Sequence, residues 1–190
     1  MGILANIKQA IEGRETDWRL LGSSGGGGSA NMLNVVSFEA DAGQLYLSNS
    51  DVSRLTLEFA GLGAGLGTPS ISLPLGGSMS TADMPSGPLG QVYRMPRAPS
   101  RLRPSDFTGV GLEMTFSLTV GTGGKSVSYI FLGAPTALLA TLLVATMAPP
   151  AIIWSSKAVG MMENTQIQGV SVGGGNAMVS MRLVGQTDLL

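Results

Sequence analysis

Leu112-Glu113-Met114-Thr115-Phe116-Ser117-Leu118-Thr119-Val120 alternates apolar with polar residues from end to end. Successive side chains of an extended chain point to opposite faces, so this stretch reads as a strand with one apolar and one polar face. A strand with a polar face is not buried on both sides, which favours an antiparallel sheet over a doubly wound parallel one. Leu55, Leu57 and Phe59, interleaved with Arg54, Thr56 and Glu58, repeat the pattern upstream. Shorter candidate strands are Leu45–Leu47, Val127–Leu132 and Met178–Val184. The cluster Gly173-Gly174-Gly175-Asn176 reads as a turn that pairs Gln168–Val172 with Met178–Val184.

Immediately after the quoted strand, Gly121-Thr122-Gly123-Gly124-Lys125-Ser126 resembles a phosphate-binding loop in composition. Its spacing fails, because Thr119 stands where the first glycine belongs, and the segment joins two strands instead of a strand and a helix. It reads as a hairpin turn.

Beyond it, no charged residue occurs from Ser126 to Ser156. Pro135 suits a first helical turn, Ala and Leu follow to Met147, and Pro149-Pro150 end the run. Some 13 residues are too few to cross a bilayer as a helix, which takes about 20. Ala151–Met162 reads as a second helix with Trp154 and Lys157 at interfacial positions, so 134–162 is expected to form a hydrophobic helical pair. At the other end of the chain, Ile3, Leu4, Ile7 and Ile11 fall at helical spacing and Gly13 offers a stop. This short amphipathic helix either docks on its own domain or binds a membrane surface or partner. Gly22–Ser29 has the composition of a flexible coil. The expected organisation is therefore a helix-bearing segment 1–21, a Gly/Ser linker 22–29 and one domain 30–190. The expected fold class is α+β: a β-rich antiparallel sheet with the hydrophobic helical pair packed on it and the short N-terminal amphipathic helix.

Charged residues make up 12% of the 190-residue chain, about half the usual share, and 28 glycines take up much of the difference. A formal net charge of −1 gives no long-range attraction to nucleic acid. Without cysteine there are no disulfides, thiolate nucleophiles or cysteine metal sites. Without histidine the commonest general base near neutral pH and the commonest zinc ligand are missing. Carboxylate pairs such as Glu39 with Asp41, or Asp83 with Asp106, are left for acid–base chemistry, and their spacing does not select them. Neither an enzyme nor a cofactor is expected. Met1–Gly13 lacks the apolar core of a secretory signal, so export, if it occurs, is expected by another route.

Two further features point to membranes. Gly61 with Gly65, Gly63 with Gly67, and Gly169 with Gly173 are spaced four apart, which on a helix leaves a smooth stripe for close helix packing in lipid. In water the same glycines favour loops, bulges or strand ends. Arg94, Arg97, Arg101 and Arg103 lie in a Pro-rich segment with no acidic residue from Met84 to Pro104, the best candidate for contacting lipid headgroups or an acidic partner.

Together, Gly61, Gly63, Gly65, Gly67, Gly169 and Gly173, the neutral run Ser126–Ser156 and the lack of a signal peptide resemble small type VI secretion effectors of the glycine-zipper, pore-forming kind. The resemblance implies an antibacterial toxin that is soluble in the producing cell's cytoplasm and later enters the target cell's inner membrane. There it would form an ion-conducting pore and dissipate the membrane potential. It further implies a tube-forming carrier protein, an immunity protein, membrane lipids and copies of the chain as partners, with no nucleic acid. Leu138, Leu139, Leu142, Leu143 and Trp154, with the glycines above, are the expected insertion residues. The competing expectation is a structural or self-assembling β-rich interaction protein. The strands around Leu55 and from Leu112 to Val120 do not belong to a simple helical pore former.

Overall fold

Eight strands, all paired antiparallel, account for most of the chain and close on themselves in the order β1-β2-β3-β8-β5-β6-β7-β4 and back to β1. The computed structural model describes residues 3–32, 36–66, 90–120, 123–138, 148–164 and 171–188. In chain order these are α1 (Ile3–Ile11), β1 (Glu15–Met32), β2 (Val36–Ser48), β3 (Val52–Leu66), β4 (Gly90–Arg94), a 3₁₀ turn (Pro104–Phe107), β5 (Gly109–Val120), β6 (Gly123–Ala134), α2 (Ala148–Ser155), β7 (Ala158–Asn164) and β8 (Ser171–Asp188).

Among the described residues the protein is thus a closed β-barrel with two small helices, and the expected α+β sheet carrying a hydrophobic helical pair is corrected. Of the 134–162 region, Ala134 ends β6, Ala148–Ser155 is α2, and Ala158 onward is β7. Residues 139–147 lie outside the described residues. The physical reason is that β6 and β7 are covered on both sides. Ile130, Leu132 and Ala158 join the barrel's inner core, while Tyr129, Phe131 and Val159 lie under α1 and α2 outside it. Strands buried on both faces lose the alternation that would distinguish them from buried helices. Gly22–Ser29, coil by composition, lies within β1 and pairs with β2 through Gly28↔Ala40 and Ser29↔Glu39. Gly173–Asn176, expected as a turn, lies within β8.

The inner core fills one end of the barrel, here called proximal, where β1 begins and β2, β4, β6 and β8 end. Trp18, Leu20, Leu45, Leu47, Leu55, Leu57 and Val92 are each 2% exposed or less. The outer core lies against the wall of β5, β6 and β7. Ile7 and Ile11 of α1, and Ile152 and Ile153 of α2, cover Val110, Leu112, Met114, Tyr129 and Phe131. The helix α1 places Ile7 and Ile11 on one stripe four residues apart and ends where Gly13 adopts φ 66°, a left-handed conformation glycine reaches without strain. Pro149 and Pro150 sit in the first turn of α2, where a missing amide costs nothing, and Ser156 closes its other end by donating both N–H and Oγ–H to the Ile152 carbonyl.

Register slips occur at the proximal end. Leu20 pairs with Leu47 and Gly22 with Tyr46, which leaves Leu21 as the extra residue of a bulge in β1. A second slip, between the pairs Val110↔Ala134 and Leu112↔Phe131, surrounds Gly133 at φ 77°.

Candidate functional site

The barrel reverses its polarity part-way along its strands. In the proximal half the inside is apolar, as described, and the outside carries Asp17, Arg19, Arg54, Glu58 and Arg182 at half-buried to exposed positions. Following the same register toward the distal end, the interior positions of β2 become Gly43, Asp41, Glu39 and Ser37, and its exterior positions Ala42, Ala40, Phe38 and Val36. On β3 the interior positions are Gly61, Gly63 and Gly65, and the exterior ones Ala60, Leu62, Ala64 and Leu66. On β5 they are Thr115, Ser117 and Thr119 inside, with Phe116, Leu118 and Val120 outside. The paired positions of β1 (Gly25, Gly27, Ser29, Asn31), β6 (Ser128, Ser126) and β8 (Ala177, Gly175, Gly173) continue the same small interior set, while Lys125 of β6, opposite Leu118, and Glu163 of β7, opposite Val127, fall at exterior positions of an otherwise largely apolar face. Glu113, 6% exposed, marks the junction, opposite Ile130 on one side and Ala177 on the other.

The β4–β5 connection, which belongs to no strand, adds a stopper to the inner core that wall side chains already fill at the proximal end. The connection from β4 to β5 sends Leu102 and Phe107 into the inner core, at 4% and 0% exposure. Phe107 meets Trp18 edge to face, ring centroids 4.8 Å apart at 71°, a geometry worth about 0.5–1.5 kcal/mol beyond area burial. Trp18 Nε1 donates to the Leu102 carbonyl at 3.3 Å. The 3₁₀ turn is fixed at both ends of Asp106: the Arg103 amide donates to Oδ2 at 2.9 Å and Lys157 Nζ donates to Oδ1 at 2.8 Å. Burial alone would raise the Asp106 pKa. The Lys157 and Arg103 hydrogen bonds and the charges of both residues outweigh it, so the carboxyl is held below the ordinary aspartate value of 3.8. Lys157 is itself held by backbone, its N–H on the Leu132 carbonyl at 2.9 Å and its carbonyl accepting from Met95 N at 2.9 Å. One ion pair therefore fastens the stopper to the β6–β7 corner.

The expected insertion residues do not form one helical face. Gly61, Gly63 and Gly65 share the interior face of β3, and Gly173 shares that of β8. Gly67, Leu139, Leu142, Leu143, Asp83 and Gly169 lie outside the described residues. Leu138 packs half-buried on the outer core, and Trp154 stands 37% exposed on α2. The arginines do not converge on a common ligand. Arg94 ends β4 and donates to the Pro99 carbonyl, Arg101 pairs with Asp51 across the exposed proximal rim, Arg103 caps the 3₁₀ turn through its amide, and Arg97 is exposed. Glu39 and Asp41 share the interior face of β2. Among the described residues no three Asp or Glu groups could hold a metal ion. No helix among them is long and apolar enough to cross a membrane, a statement that leaves strands untouched.

What the sequence reading missed is the reversal itself. Its signal is present in the 36–43 and 60–66 stretches, where polar or glycine residues alternate with apolar ones in a phase opposite to that of the adjoining core positions. Compared with protein-family models, curated proteins and solved structures, the chain matches none of them.

Proposed function

We propose that this protein acts on membranes through the distal half of its barrel, with the apolar exterior facing acyl chains and the polar interior lining a water-filled bore. The observation that carries this reading is the reversal of polarity. Apolar-out, polar-in alternation is what a lipid-embedded barrel requires, and it is the opposite of what the proximal half of the same strands uses. Closed strands also leave no unpaired backbone edge in lipid. Ordinary side chains just fill the interior of an eight-stranded barrel, and Gly, Ser and Thr at the interior positions leave it room for water.

On this reading the bore passes ions and dissipates a membrane potential. The toxin, carrier and immunity-protein expectations rest on the resemblance alone. The rival, a self-assembling module whose copies cover one another's apolar exterior, draws support from the outer core, where α1 and α2 already cover part of that wall with protein. Vesicles holding a potassium gradient and a potential-sensitive dye separate the two. Collapse of the potential on addition of protein supports insertion, whereas intact vesicles with concentration-dependent oligomers refute it in favour of assembly.

A further inference from the structure

At the proximal end β8 runs on past one of its partners. β5 pairs with it only between Thr119↔Ser171 and Gly109↔Met181, and at Gly109, φ 117°, the chain parts from β8 toward Thr108 and the 3₁₀ turn. A Cβ built on Gly109 would lie 2.4 Å from the Ala134 carbonyl oxygen, so only glycine fits at this departure. Among the described residues, Arg182–Asp188 therefore has a strand on one side only, β3, from Glu58↔Arg182 to Val52↔Asp188. We propose that this free edge of β8 pairs antiparallel with the same edge of a second copy, giving a two-fold dimer joined at the proximal ends. The proposal goes beyond the membrane reading and does not rest on it, since it concerns the end of the barrel assigned to water.

An open edge is a template for another strand, and proteins guard such edges with lysine, proline, a bulge or a covering element. The edge sequence Arg182-Leu183-Val184-Gly185-Gln186-Thr187-Asp188 holds neither lysine nor proline. A bulge at Val184, which has no partner on β3, is the one guard present. Of the three large apolar side chains that stand exposed among the described residues, two are on this edge, Leu183 at 41% and Val184 at 46%. Where β5 has left β8 lies a cleft of about 600 Å³, lined in part by Gly109, Ala134, Thr136, Lys157, Met181 and Leu183, with room for side chains of an incoming strand.

Charge selects the occupant. Arg182 stands at one end of the edge and Asp188 at the other, with no charge between them. Antiparallel pairing about a two-fold axis near Gly185 brings the Arg182 end of each copy beside the Asp188 end of the other, so two opposite-charge contacts form at once. Arg182 pairs with Glu58 while its side chain stays 76% exposed, and exposed Asp188 accepts from Gln186, so both ends are open to a partner. At the axis, a Cβ on Gly185 would meet Thr56 at an ordinary 3.8 Å. The fold of one copy does not require glycine there, whereas a second backbone coming close is served by it.

Sedimentation velocity of the full chain in lipid-free buffer should show monomer giving way to dimer as concentration rises. Seven residues a side make a small interface, so the dimer should come apart on dilution. Because the chain has no cysteine, Gly185→Cys supplies a single thiol, and a short bismaleimide, which adds one thiol at each of its ends, should link the dimer. Trp154→Cys, exposed on α2, should stay unlinked. Arg182→Asp and Asp188→Arg should each weaken dimerisation about tenfold by setting like charges side by side, and the two together should restore it. The Arg182–Glu58 pair is lost in the double variant as in the single one, so restoration reports contact between copies. A protein that stays monomeric at every concentration overturns the proposal and leaves the edge to a different chain. A dimer indifferent to the charge exchange and dissolved by Leu62→Lys also overturns it, by placing association on the distal exterior. None of these measurements involves lipid, so the membrane reading stands or falls separately.

Discussion

The two halves of this barrel share their strands but invert their solvent preference. In the proximal half, Leu45, Leu47, Leu55 and Leu57 face inward beneath a rim of charge; in the distal half, the register of those same strands assigns Glu39, Asp41, Gly61 and Gly63 to interior positions and Phe38 and Leu62 to exterior ones. Antiparallel pairing runs through both, with the register slips confined to the proximal end, so backbone pairing defines the barrel and the side-chain sequence decides the polarity of each face. The proximal half has what a folded domain needs in water. The distal half has what a barrel needs in lipid or against another apolar surface.

Substitutions that act on one half and spare the other sharpen this contrast. The largest effect on folding is expected from Phe107→Ala, which removes a fully buried ring from the stopper and should cost about 3–5 kcal/mol, read as a lower urea midpoint. Equal stability of this variant would mean that the proximal core does not hold the fold. Leu62→Lys should leave the urea midpoint near that of the wild type. It should weaken vesicle partitioning by about 2–4 kcal/mol, the cost of a lysine near the midplane of a barrel's lipid face. Unchanged flotation would break the assignment of the distal exterior to lipid.

Gly133→Ala comes next. Its left-handed φ and the clash of an added Cβ with the Asp106 carbonyl oxygen should together cost about 1–3 kcal/mol, with the damage visible in hydrogen exchange of the 3₁₀ turn. Acid gives a smaller effect. Because the Asp106 pKa is lower in the folded state than in the unfolded chain, its stabilising contribution is complete above the ordinary value of 3.8 and is lost as pH falls through the folded value. Asp106→Asn should flatten that part of the pH–stability profile, and an unchanged slope would mean that the Asp106–Lys157 ion pair does not stabilise the fold. The smallest expected change is that of Trp154→Ala, within about 0.5 kcal/mol, since an exposed side chain on α2 supports no core.

Much of the β content was legible because β3 and β5 keep strict alternation where one face meets water. Less visible was closure into a barrel. The β1 segment Gly22–Ser29 has almost no side chains and so no polarity pattern. Its partner β2 supplies the register that makes it a strand. The apolar segment around Ala158 was misread as helix because β7 is covered on both faces. The glycines of 61–67 illustrate how spacing misleads: residues four apart share a face on a helix, but on a strand so do residues two apart, and Gly61, Gly63 and Gly65 line one face of β3. The candidate site was legible only in part. The sequence marked these glycines and the acidic character of Asp106, and it contained no cue that Lys157, 51 residues away, would meet that carboxylate.

The bulge at Leu21 explains how β1 joins in the reversal. Strict alternation from Trp18 and Leu20 would put Ala30 and Met32 at interior positions and Ser29 and Asn31 at exterior ones. The single unpaired residue shifts the count by one, and every later position of the strand trades sides. Deleting Leu21 would therefore transpose the whole distal run of β1 without altering one of its residues, so that a lone backbone irregularity sets the facing of an entire half-strand.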